Sequence, residues 1–133
     1  YFNFLKKIVD ELKISKRVIF SQPIFDVKEK IKKIDSVSIY ALPSRVEGMP
    51  QSLIEAMARE RIVIGSDSLA IRDLIKNGKN GYLFEFDNPR SLANVINKAL
   101  NQKGKDIQKN AKKSVEHFEW SKIIDQIENL IKF

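Results

Sequence analysis

The chain has no cysteine, which excludes disulfides, thiolate metal sites and cysteine nucleophiles together. It has one histidine, His117, which excludes a multi-histidine metal centre and argues against a serine–histidine–acid triad. No apolar run approaches the roughly eighteen residues that a bilayer crossing needs, and no signal-peptide pattern is visible. Internal repeats, low-complexity stretches and linkers are also missing. What remains is 133 residues and 15.4 kDa, with 43% hydrophobic and 31% charged side chains. That is the balance of one globular domain, long enough to bury about two-thirds of its unfolded surface without a staple. The first residue is Tyr1 rather than Met, which we read as a piece of a longer chain or a processed product.

Positive charge is in excess, at +7, and it is uneven. Residues 1–36 carry nine Lys or Arg against five acids, whereas residues 37–100 are almost balanced at eight against seven. Such a bias suits an anionic partner, whether nucleotide, phosphate or acidic membrane surface. Nucleic acid is not expected, because acids interleave the basic residues and no basic-aromatic run offers a stacking platform. For Lys28, Lys30, Lys32 and Lys33 two readings stay open, a solvated helix face or contact with anionic lipid. We expect a cytoplasmic protein, with peripheral contact at the inner face of the plasma membrane as the further reading.

Along the chain, short apolar strands alternate with helices. Phe4, Leu5, Ile8, Val9 and Leu12 predict an amphipathic helix over 1–13. Val18-Ile19-Phe20 predicts a strand, and Asp26 caps a helix reaching Ile34. Strands are predicted at Val37–Leu42, Ile62–Ile64 and Tyr82–Phe84. Helices are predicted from Pro50 to Arg59, briefly around Ile71–Ile75, and from Asn88-Pro89 through Leu100. Asn77-Gly78-Lys79-Asn80-Gly81 is a strong turn signal. Two more helices follow, near 105–117 and 121–132, with Ser121 as the second N-cap. The alternation argues for a parallel sheet covered on both faces. Four strands are few for such a sheet, so further strands are expected upstream.

In open parallel sheets, ligands bind beyond the carboxyl ends of the strands. One loop there stands out, Pro43-Ser44-Arg45-Val46-Glu47-Gly48-Met49-Pro50, running into Gln51-Ser52-Leu53-Ile54-Glu55-Ala56-Met57-Ala58. Amides at a helix start carry partial positive charge, and Gly48 lets an anion approach the backbone. A carboxylate repels phosphate, so Glu47 and Glu55 should instead grip hydroxyls. Each hydrogen bond to a charged group is worth about 1.5–3 kcal/mol, so a two-point grip on a diol is a large share of a micromolar affinity of about 8 kcal/mol. If the loop folds back, both acids face one cleft. Arg45 and Arg72 are phosphate contacts or solvated loop residues; Ser44 and Ser52 bind phosphate or cap local backbone. His117 complements a helix end or packs, and Trp120 packs the last two helices together.

These residues carry a resemblance. Glu47, seven residues, then Glu55, set within Pro-Ser-x-x-Glu-Gly-x-Pro-x-x-x-x-Glu-Ala-Met-Ala, resembles the signature of family 4 retaining glycosyltransferases, which have the GT-B fold. Asp67 after the third strand, Asn77–Leu83, Asp87-Asn88-Pro89 before Leu92-Ala93, and Phe118-Glu119-Trp120 extend it over nearly the whole chain in the right order. The resemblance implies an α/β fold. It is a Rossmann-like parallel sheet with helices on both faces and a helical C-terminus, the donor-binding half of a GT-B enzyme.

The resemblance also implies roles. Glu47 would contact the donor sugar as the catalytic carboxylate, and Glu55 the ribose hydroxyls. Gly48, Met49, Pro50, Gln51 and Ser52 would hold the diphosphate of a UDP- or GDP-sugar, and residues after Phe20 would lie near the base. No metal or other cofactor is implied. The acceptor, a glycan or lipid-linked glycan, would bind an N-terminal domain outside the chain, so the 133 residues alone would not transfer sugar. The alternative is a non-catalytic nucleotide-sugar-binding module of the same fold. Two departures matter. Glu60 and Ile62 replace the family's usual Gly and Pro after the glutamate helix, putting that turn in doubt. Leu69-Ala70 replaces a usual glycine pair near the donor, so donor preference or donor affinity should differ.

Overall fold

The computed structural model describes residues 1–102 and 106–131, without the side chains of 120, 125–127, 130 and 131. The chain divides into two units, Tyr1–Lys30 and Ile31–Phe133.

In the first unit, helix α1 (Phe2–Glu11) has the expected amphipathic spacing. It ends at Lys13, which takes the left-handed conformation with φ 54°. Lys13 and Ile14 donate their amides to the carbonyls of Asp10 and Val9, a helix stop usually built on glycine. A 3-10 turn (Ser15–Arg17) follows, and Phe20 meets Phe2 edge to face with ring centroids 5.1 Å apart. Val18-Ile19-Phe20 does not form the predicted strand. A β-branched run fits a pleated surface, but a strand exists only where a neighbour supplies its hydrogen bonds, and none does among the described residues. Helix α2 (Val27–Asp35) starts in this unit and runs past its boundary at Lys30; Asp26 caps it as expected, accepting the amide of Glu29 at 2.9 Å.

The second unit contains a parallel sheet of β1 (Ile39–Leu42), β2 (Ile62–Ser66) and β3 (Tyr82–Phe84), in the order β1-β2-β3. Four strands were expected, and among the described residues there are three. Helices α3 (Gln51–Ala58), α4 (Leu69–Leu74), α5 (Pro89–Leu100) and α6 (Ile107–Val115) cover it, followed by α7 (Trp120–Ile131). Side chains alternate along a strand, so β2 feeds two cores. Val63 joins Leu53, Met57, Ile71, Ile75, Ala111 and Val115 on one face. Ile64 joins Tyr82, Phe84, Ala99 and Ile107 on the other, under Leu92, Val95 and Ile96 of α5. The α/β architecture, with helices on both faces of a parallel sheet and a helical C-terminus, is the expected one.

Local chemistry sets the boundaries. Asn88 caps α5 by accepting the Ser91 amide at 2.9 Å, and Pro89 takes the first helical position. Ser121 is not the N-cap of α7, since the helix already includes Trp120 and the Ile123 amide donates to the Glu119 carbonyl. The packing expected of Trp120 lies outside the described side chains. In the turn before β3, Gly78 has φ 76° and buried Asn80 accepts the Lys76 amide at 2.7 Å. Asn80 also donates to the Leu74 carbonyl and the Ser114 hydroxyl, both at 2.9 Å, locking that turn to α6.

The doubted turn after α3 forms without glycine. Glu60 adopts φ 55°, its amide donates to Met57, and the Arg61 amide donates to Ala56. This is the paired-bond stop usually completed by a left-handed glycine. Side chains brace it. Lys112 of α6 holds Glu60 at 2.9 Å, and Arg59 grips Asp35 through two nitrogens. Arg61 reaches the carbonyls of Arg59, Asp35 and Val37.

Candidate functional site

The carboxyl ends of β1, β2 and β3 open onto the loops at 43–50, 67–68 and 85–88. The first is fixed where it leaves the sheet: the buried Ser66, at the end of β2, donates its hydroxyl to the Ser44 carbonyl. At its far end Pro50 is buried, with φ −77° and ψ 74°, and Gln51 donates its amide back to the Met49 carbonyl at 2.8 Å. That is an inverse γ-turn. Pro50 is therefore the N-cap of α3 rather than its first helical residue.

This bend sorts the amides. Those of Gln51 and Leu53 are used inside the protein, donating to Met49 and Pro50. Gln51 therefore does not offer the free amide expected of it. Among the described residues, the amides of Gly48, Met49 and Ser52 meet no acceptor, and neither the Ser44 nor the Ser52 hydroxyl makes a hydrogen bond. Gly48 has no steric duty in the fold. A Cβ built there would meet nothing within 4 Å, and its φ is not positive. By contrast, a Cβ at Gly65 would stand 2.4 Å from Ile71, so that glycine exists for the packing of α4 on β2.

The two glutamates are both half-buried, but they line separate hollows. Glu47 faces a hollow of about 360 Å³ with Arg45, Val46, Phe86 and the Asp67–Ala70 loop. Glu55 faces one of about 340 Å³ with Met49, Gln51, Ile54, Phe118 and Ile123. These two linings share no residue; in the chain, Glu47 precedes the Gly48–Pro50 bend and Glu55 follows it. Glu55 sits on the second turn of α3, so the directions of the two acids are set by different elements.

Arg72 pairs with Asp67 through Nε, and its other arm reaches the Asp67 carbonyl at 3.3 Å. Arg45 lies over Phe86, its guanidinium carbon 5.9 Å from the ring centroid. Leu69, where the glycine pair was expected, is 81% exposed at the edge of the Glu47 hollow. His117 packs on Phe118, with ring centroids 4.1 Å apart. Phe86 and Phe118 line the two hollows; sequence reasoning passed over Phe86, which has no spacing signal, and noted Phe118 only within the Phe118-Glu119-Trp120 match. No group of three His, Cys, Asp or Glu stands together as a metal site among the described residues. Nor is any described helix long and apolar enough to cross a membrane.

A parallel sheet covered by helices on both faces, with loops at its strand ends, defines a known class of protein, the Rossmann-like domain. Residues 1–115 match the family described as glycosyl transferases group 1, and the chain belongs to it. The lipopolysaccharide 1,6-galactosyltransferase of Salmonella typhimurium is 40% identical over 79 residues, 56% of this chain and 21% of that protein. The lipopolysaccharide core biosynthesis mannosyltransferase LpcC of Rhizobium leguminosarum is 30% identical over 92 residues, 69% of this chain and 25% of that protein. The five curated relatives matched are covered over only 19% to 28% of their length.

Among solved structures, sucrose-phosphate synthase of Thermosynechococcus elongatus superposes with a TM-score of 0.85 and 26% identity, over 95% of this chain and 32% of that one. The C-terminal domain of a glycosyl transferase group 1 family protein (LpcC) from Francisella tularensis gives 0.76 and 25%, over 85% and 59%. Anabaena HepE, solved with UDP and glucose, gives 0.89 at 23% identity, over 98% and 36%, a likeness of fold.

Proposed function

We propose that these residues form the donor-binding part of a glycosyltransferase that moves a sugar from a nucleotide-sugar to an acceptor with retention of configuration, as in family 4. The observation that carries this reading is the Gly48 bend. It has a glycine the fold does not need and three amides without acceptors, and in the chain it stands between Glu47 and Glu55, which line separate hollows. Amides aimed at a diphosphate are preorganised donors for charge that grows as the leaving group departs. Glu47 then contacts the sugar and Glu55 the ribose diol, with the diphosphate crossing the bend that separates them. Two hollows suit a ligand with a hydroxyl-bearing group at each end of a pyrophosphate. Acceptor contacts come from a domain outside these 133 residues, and the acceptor is a glycan or lipid-linked glycan. The galactosyl- and mannosyltransferase relatives support a hexose donor.

The test is calorimetric titration with UDP, GDP and their hexose esters, against Glu55→Ala. Affinity for the nucleotide should weaken by about 2–3 kcal/mol in the variant, from two lost charge-assisted hydrogen bonds. An unchanged affinity removes Glu55 from the ribose.

A further inference from the structure

Two arginines line the Glu47 hollow, and nothing in the sequence ranks them. Their surroundings do. Arg72 is held at both arms by one residue, through the carboxylate and carbonyl of Asp67. Its Nε and one terminal nitrogen are engaged by Asp67, and the carboxylate offsets its charge. Arg45 has no carboxylate partner among the described residues; its contact is the face of Phe86. An aromatic face steadies a guanidinium from above or below and leaves the in-plane N–H groups pointing outward. Those donors suit a phosphate, whose oxygens accept them in pairs.

Charge balance points the same way. With Asp67 and Arg72 paired, Glu47 is a like charge beside a diphosphate that crosses the bend next to this hollow. Arg45 is the cation that offsets it. It also lies three residues before Gly48, within about 10 Å of extended chain, so its reach and that of the loop amides converge. Resting on the nucleotide-sugar reading above, we infer that Arg45, seated on Phe86, binds the diphosphate of the donor, and that Arg72 serves the loop instead.

The test is titration of the chain with uridine, UDP and UDP-glucose, and the guanosine series, in the wild type and in Arg45→Ala, Arg45→Lys, Phe86→Leu and Arg72→Ala. Arg45→Ala should weaken the diphosphates about ten- to a hundredfold and leave the bare nucleosides unchanged. Its dependence of affinity on salt should be shallower, because one charge contact is gone. Arg45→Lys should recover part of the loss, keeping the charge without the fork. Phe86→Leu should weaken diphosphates a few-fold, and Arg72→Ala much less than Arg45→Ala. Diphosphate affinity unchanged in Arg45→Ala, or an equal loss for nucleoside and diphosphate, overturns this inference alone. Failure of the wild type to bind any of these nucleotides overturns the donor-binding reading and this inference together.

Discussion

Ser66 and Ser44 are twenty-two positions apart, yet the buried hydroxyl of the first donates to the backbone carbonyl of the second. The bond joins the end of β2 to the start of the candidate binding loop. It fixes where Arg45, Val46 and Glu47 leave the sheet. Ser66→Ala leaves that carbonyl short of a donor in a partly buried place and should lower stability by about 1–2 kcal/mol in urea denaturation. Nucleotide affinity should fall as well, since the loop loses its anchor. A variant as stable as the parent would show that water replaces the hydroxyl at no loss.

Gly48 offers the cleanest separation of folding from binding. Its φ is not positive and the space around it is open, so alanine fits the folded chain. Alanine also restricts the unfolded chain, so Gly48→Ala should match or exceed the parent in stability, by up to about 1 kcal/mol. A methyl group would nevertheless stand where an anion must approach the amides. Titration with a nucleotide-sugar should therefore show affinity about tenfold weaker. If affinity holds, the bend is not where the diphosphate rests.

The sheet was legible because Ile62-Val63-Ile64 and Tyr82-Leu83-Phe84 are short apolar runs closed by turn residues, a pattern that local sequence carries. Val18-Ile19-Phe20 has the same look, but whether such a run pairs depends on neighbours distant in the chain. The candidate loop stood out for a similar local reason, a glycine and two acids at a strand-to-helix junction. The separate surroundings of Glu47 and Glu55 were not legible, because the inverse γ-turn at Pro50 stands between them and Glu55 is carried on α3. Nor could the sequence separate Arg45 from Arg72. That distinction comes from Asp67 and Phe86, brought there by two other strand ends.

Glu60 is a second left-handed residue closing a helix where glycine is usual, as Lys13 is the first. A side chain with a Cβ is strained there, and the ion pair with Lys112 offsets part of that strain. Glu60→Gly removes both effects. Exposed ion pairs contribute little, so relief of the backbone should win and raise the melting temperature by about 2–5 °C. Glu60→Gln in parallel keeps the strain and drops the charge, and should lower it slightly. A fall in melting temperature for Glu60→Gly would mean that the Lys112 contact outweighs the backbone.

The same braces give stability a definite pH dependence. The hydrogen bond from Arg59 holds the Asp35 carboxyl below its ordinary value, and that from Lys112 does the same for Glu60. A carboxylate whose folded pKa is depressed contributes stability that is complete above its unfolded pKa, near about 4. That contribution is lost as pH falls through the folded value, because the unfolded chain then binds the proton more readily. Tyr82 acts at the other end. Burial raises its phenol, so the unfolded chain ionises first above about pH 10 and stability falls as pH rises. Urea midpoints measured from pH 3 to 11 should form a plateau that drops on both sides. Asp35→Asn should flatten the acid limb and leave the alkaline one, and Tyr82→Phe should do the reverse. An acid limb unchanged in Asp35→Asn and Glu60→Gln together would show that these pairs do not govern acid stability.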